Sequence, residues 1–135
     1  MKCIKRSFSG LVSQANAEFN CLNDKKDRED YLHLLESKLS RFCWTNFGEK
    51  EFTSAKNKIR ARRISFLSKL VLYRLIEKAS KADPMRNSLK VYMSHVRRDV
   101  VHAWVRYEAA INTNQGSWLQ QIKFYFDGRK YNNLN

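Results

Sequence analysis

Three histidines and three cysteines are the side chains in this sequence best suited to metal binding or nucleophilic chemistry: His33, His95, His102, Cys3, Cys21 and Cys43. Their spacing supports neither. His95 and His102 fall seven residues apart on one predicted helix face, about 10 Å along its axis, too far for both to hold one metal ion. No His-Glu-x-x-His, Gly-x-Ser-x-Gly or Gly-x-x-x-x-Gly-Lys segment occurs, so zinc protease, hydrolase and phosphate-loop chemistry lack their frameworks. An odd number of cysteines without a Cys-x-x-Cys pair argues against a disulfide framework or a zinc knuckle, and for a reducing compartment. No catalytic residue and no metal ligand is assigned, and the chain reads as a binding protein, not an enzyme.

The chemistry that remains is charge. Twenty-six Lys and Arg against thirteen Asp and Glu give a net charge of +13 and a pI near 9.9, which favours acidic partners: RNA, anionic lipid or an acidic protein. With 13% aromatic and 43% hydrophobic residues, the chain is too apolar for a disordered basic tail. The span from Phe52 to Ile76 holds Lys56, Lys58, Arg60, Arg62, Arg63, Lys69 and Arg74 and no acidic residue. Such a helix can lie along an RNA backbone, gaining affinity by counterion release, or along an acidic protein surface. Within it, Leu72-Tyr73-Arg74 sets a tyrosine and an arginine directly after a leucine.

The elements that position these residues are predicted to be helices. A chain of 135 residues with four glycines and one proline has too few turn formers for hairpin-rich β architecture, and its length fits one small domain. Leu32, Leu35, Leu39 and Phe42 recur at helical spacing and predict a first helix over 13–44. "TNFGEKEF" marks a break around Gly48. Ile59, Phe66, Leu67, Leu70, Val71 and Leu75 form the apolar face of a second helix over 49–82. Asp83-Pro84 reads as stop and start together, with Asp83 as N-cap and Pro84 as the first residue of a third helix over 84–111. That helix places Leu89, Tyr92, Met93, Val96, Val100, Ala103, Trp104, Tyr107 and Ile111 on one stripe. The expected fold is all-α, a small antiparallel three-helix bundle (13–111) with an irregular aromatic C-terminal arm over 112–135. Charges interrupt every apolar run, so no transmembrane segment is expected. Residues 1–12 form a basic segment. Lys2, Lys5 and Arg6, several serines and no acid before Glu18 are how a mitochondrial targeting segment looks, and the segment is expected to be retained.

"LVLYRLIEKASKADPMRNSLKVYMSHVRRDVV", residues 70–101, resembles the LYR-motif family of small mitochondrial proteins, also called complex I LYR-like. The family's Leu-Tyr-Arg, its proline about ten residues on, its later tyrosine and its basic stretch correspond to Leu72-Tyr73-Arg74, Pro84, Tyr92 and Arg97-Arg98-Asp99. The spacing to Tyr92 is about one residue longer than the commonest form, and a valine (Val100 or Val101) stands where the family has a phenylalanine. The resemblance implies a three-helix protein that docks acidic mitochondrial acyl carrier protein, whose acylated phosphopantetheine inserts between the helices. No cofactor is then bound directly; the partner supplies the acyl-phosphopantetheine. It implies a partner-binding set of Leu72, Tyr73, Arg74, Lys69, Arg97 and Arg98, and an acyl-chain slot of Leu70, Val71, Val96, Val100 and Trp104. The extra N-terminal helix and the aromatic tail favour an accessory subunit of a large mitochondrial assembly, respiratory complex I first, at the matrix side of the inner membrane.

Two other readings make different demands. A mitoribosomal or other RNA-binding protein would use the 52–76 helix and Arg97-Arg98 on phosphates and stack Trp118, Phe124 or Tyr125 on bases. An assembly factor for respiratory complexes or iron-sulfur clusters would share the carrier site. A plain scaffold with no ligand predicts that Tyr73 is buried core and that Arg74 makes an internal ion pair.

Overall fold

The computed structural model describes residues 7–114. Within them the chain forms four packed α-helices and no strand: α1 (Phe8–Asn20), α2 (Lys25–Cys43), α3 (Ala55–Ala82) and α4 (Asn87–Asn114). A π-helical turn (Trp44–Gly48) and a 3-10 turn (Lys50–Phe52) connect α2 to α3. No described helix is long and apolar enough to cross a membrane.

The all-α class is as expected, but the predicted helix over 13–44 is two helices. Asp24 is the reason: its carboxylate accepts from the backbone N–H groups of Lys26 and Asp27 at 2.8 and 3.1 Å, satisfying donors that a helix start would leave orphaned. Helix α1 also begins inside the segment assigned to a basic arm, where the Ser7 hydroxyl accepts from the Gly10 N–H at 3.1 Å. The second predicted helix starts at Ala55, not Glu49, because Ser54 caps it through the Asn57 N–H at 3.1 Å.

Asp83-Pro84 separates α3 from α4, but in a different way from that expected. Pro84 excludes Asp83 from the helical region, and Asp83 takes φ −140°, ψ 70° as the last cap of α3, its N–H donating to the Ala79 and Ser80 carbonyls. The chain then turns, with the Arg86 N–H reaching the Asp83 carbonyl at 3.2 Å, and α4 starts three residues later than predicted. The remainder of the C-terminal arm, with Trp118, Phe124 and Tyr125, lies outside the described residues, as do Met1 to Arg6.

Helix α3 is central. Leu70, Leu72 and Ile76 are almost inaccessible, as are Leu32 and Leu35 of α2 and Leu89 and Val96 of α4; burial of each such side chain contributes about 1.5–3 kcal/mol relative to exposure. Along α3 and α4, Arg62 meets Arg106, Phe66 meets Trp104 and Lys69 meets Asp99, so the two run in opposite directions. Helix α1 seals the far side through Phe19 against Tyr31 and Lys78 on Asn20.

Glu29 fastens the α3–α4 turn to α2. Its carboxylate accepts from Arg86 Nε at 2.9 Å and Ser88 Oγ at 2.7 Å. Burial pushes this carboxyl up, but the hydrogen bonds from Ser88 and Arg86 and the arginine charge outweigh it and hold the group below its ordinary value of 4.5. A carboxylate lowered in the folded chain contributes stability that is present above the ordinary value and is lost as pH falls through the lowered one. Urea titrations between pH 7 and 3 are therefore expected to show Glu29→Gln less stable than the parent by roughly 1–2 kcal/mol at neutral pH, with the difference closing below about pH 4.5. A constant difference across that range would refute the assignment.

Candidate functional site

Successive residues of an α-helix point about 100° apart, and Leu72-Tyr73-Arg74 spans three environments accordingly. Leu72 is buried toward α2 at 1% exposure, Tyr73 is buried at 7%, and Arg74 stands in solvent. Among the described residues Arg74 makes no ion pair. Tyr73 therefore meets the scaffold expectation of a core tyrosine, and Arg74 does not meet the expectation of an internal partner.

The acid-free span of α3 divides between inside and outside. Lys69 faces inward, 3.7 Å from both Glu36 and Asp99, and Arg62 reaches Glu51 at 3.0 Å and the Arg106 carbonyl at 3.2 Å. These two cations tie helices together. Lys56, Arg60, Arg63 and Arg74 recur instead along one side of α3, with the half-buried Leu67 among them. Arg97 and Arg98 on α4 are both exposed, but they diverge by one helical step. Arg97 shares a stripe with Trp104, seven residues on, which places it on the side of the α3–α4 pair that also bears Arg74. Arg98 lies on the outward ridge of α4.

Of the expected acyl slot, Leu70, Val96 and Val100 are closed into the core at 1–2% exposure and Trp104 is half-buried at the α3–α4 edge. Val71 is half-buried as well, but it lies two 100° steps from Lys69, which meets Asp99 of α4, and so on the side of α3 turned away from α4. Trp104 packs on Phe66 at 5.0 Å and edge-on to Tyr107 at 6.1 Å. A cavity lies elsewhere. A pocket of about 230 Å³ lies between the end of α2, the Trp44–Gly48 turn and α3, and takes Leu72 and Lys69 into its wall with Glu36, Cys43, Trp44 and Ser68. Gly48 permits its shape: a Cβ there would come 2.7 Å from Cδ2 and 2.8 Å from Cζ3 of Trp44. The break expected around Gly48 from "TNFGEKEF" begins in the structure as a π-helical turn, Trp44–Gly48, that continues directly from α2.

Two groups in this region have displaced acidities. Tyr92, the tyrosine matched by the resemblance, donates to the Glu36 carboxylate at 3.0 Å, with the Leu32 carbonyl at 3.3 Å, and stacks on His33 at 4.1 Å. Burial first, then the Glu36 and Asp99 charges, push its phenol far above the ordinary value. The Cys43 thiol lies 3.2 Å from the Ser68 hydroxyl. Burial pushes it above 9.0, and the Ser68 hydrogen bond and the Lys69 charge offset that only in part. Since the thiolate is the nucleophile, Cys43 in a Cys3→Ser, Cys21→Ser background is expected to react with a disulfide reagent slower than a free thiol at pH 8, with the midpoint of its pH–rate profile above 9.0. A midpoint at or below 9.0 would refute the upward shift.

Among the described residues no three His, Cys, Asp or Glu side chains gather as a metal site, and His95 and His102 are exposed on α4. No protein-family model, curated protein or solved structure matches this chain.

Proposed function

We propose that this chain is a non-catalytic, LYR-type accessory subunit of a mitochondrial respiratory complex, complex I in the first place, that docks acylated acyl carrier protein. The observation that carries the reading is the state of the tripeptide: Leu72 and Tyr73 are anchored in the core while the adjacent Arg74 is exposed, with no ion pair among the described residues, and the nearest acid on its side of α3, Glu77, is paired with Lys81 at 4.0 Å. The packed backbone fixes where Arg74 leaves the helix, and its planar guanidinium suits a bidentate grip on a carboxylate or phosphate. Arg97 adds a second cation on the same side, and the net charge of +13 steers a strongly acidic protein toward it. Lys69 serves this surface indirectly, by fixing α3 between α2 and α4.

In this reading the acyl chain enters beside the half-buried Trp104 at the edge of the α3–α4 seam and is buried against Leu70, Val96 and Val100, in an apolar site with few polar groups; Val71, on the other side of α3, takes no part. The proposed arrangement keeps the antiparallel pairing of three long helices, with α1 as an added brace. The accessory-subunit role and matrix-side location rest on the resemblance and on the basic N-terminal segment.

The test is affinity purification of the tagged chain from mitochondria under nuclease treatment, followed by intact-mass analysis of what co-purifies. An acidic carrier protein bearing phosphopantetheine with an acyl chain is expected. Association that disappears with nuclease would instead identify RNA as the partner, and recovery of respiratory subunits without any carrier would refute carrier docking.

A further inference from the structure

Helix α4 carries a second apolar line on the side turned away from α3. Val91, Val101 and Val105 are 57%, 47% and 56% exposed. With Ser94 and Arg98 they occupy alternating three- and four-residue steps, the spacing of a helix–helix seam. The residues of α4 that meet the core, among them Tyr92, Val96 and Val100, lie on the opposite face.

The charge around this seam restricts what can cover it. Lys90 and Arg98 put cations on it, Arg97 lies at its rim, and His95 and His102 present imidazole N–H donors along the other edge. The first acid in line with the seam is Glu108, beyond Val105. Asp99, four residues after His95 and three before His102, borders the imidazole edge at 48% exposure, and its charge is partly met by Lys69 at 3.7 Å. A second copy of this seam is a poor occupant, because centring one on the other in either orientation stacks Arg98 on Arg98. RNA would engage the cations but gain nothing from three valines spaced as knobs.

We propose that the outward seam of α4 docks an amphipathic helix of a partner protein, with apolar residues on its own seam and acidic residues flanking them. The apolar line fixes register by knobs-into-holes packing, and the flanking carboxylates pair with Lys90, Arg98 and the two imidazoles. Arg74 and α3 take no part, so the surface does not depend on carrier docking.

The probe is a fluorescent four-heptad peptide with leucine at the a and d positions and glutamate at e and g, titrated with the full chain at physiological salt; its twin carries lysine at e and g. The acidic peptide is expected to bind at least tenfold tighter than the twin. Val101→Glu with Val105→Glu, both at exposed positions, is expected to weaken it at least tenfold. Lys38→Glu on α2, an equal change in net charge, is expected to weaken it less than twofold. The proposal is overturned if neither peptide binds, if the twin binds equally, or if Lys38→Glu matches the double variant. It is also overturned if an oligouridylate binds instead, with an affinity that the valine substitutions remove.

Discussion

Phe66→Ala is expected to lower the stability of the chain by about 3–5 kcal/mol, the cost typical of deleting a buried phenylalanine. Phe66 is 2% exposed and packs against the rings of Trp104 at 5.0 Å and Tyr107 at 6.3 Å, so its removal leaves a cavity in the middle of the α3–α4 packing. A domain of this size is commonly stable by only 5–15 kcal/mol, and the variant should show a much lower urea midpoint by circular dichroism. Its Trp104 emission should also shift to the red in the folded baseline, since one wall of the indole's site is gone. Phe52→Ala is the control: Phe52 is 79% exposed, and its truncation should move stability by no more than about 0.5 kcal/mol. Equal effects from the two substitutions would show that α3 and α4 do not pack through Phe66.

The contrast between those two phenylalanines also shows where sequence reading succeeds. Phe66 belongs to a run of apolar residues at three- and four-residue spacing, and such periodicity forecasts a buried face; Leu32, Leu35 and Leu39 were legible on α2 for the same reason. Helix ends were less legible. The α1–α2 boundary contains neither glycine nor proline, and one Asp24 carboxylate with two backbone N–H groups decides it. At Asp83-Pro84 the conspicuous signal marked the right place, but proline geometry acted on the helix it ended and not on the one it precedes.

The candidate site was readable only where one helix contains it. The 100° steps of α3 put Leu72 inside and Arg74 outside without reference to any other element. Lys69 is different, because the carboxylates near it, Glu36 and Asp99 at 3.7 Å, come from two other helices. The pocket likewise depends on Cys43 meeting Ser68 across 25 residues, which no local pattern records.

That distinction between cations gives the sharpest test of carrier docking. Arg74→Glu combined with Arg97→Glu is expected to weaken binding of purified acyl carrier protein by at least thirtyfold, about 2 kcal/mol, because both substitutions set a carboxylate against an acidic partner. Neither residue has an ion pair among the described residues to lose, so the thermal midpoint should stay close to the parent's. Most of the loss should fall on the association rate and shrink as salt rises, as expected of exposed charges beyond a Debye length of about 8 Å at physiological ionic strength. Lys69→Ala should behave in the opposite manner. It leaves Glu36 and Asp99 facing each other without their shared cation, which lowers stability, while the docking face keeps both arginines and its salt dependence. Surface plasmon resonance at three salt concentrations, paired with thermal melts of each variant, separates the two kinds of residue. Double-arginine binding that equals the parent's, or a Lys69→Ala variant that loses the carrier at full stability, would mean that the carrier meets the chain on the inner side of α3, through Lys69.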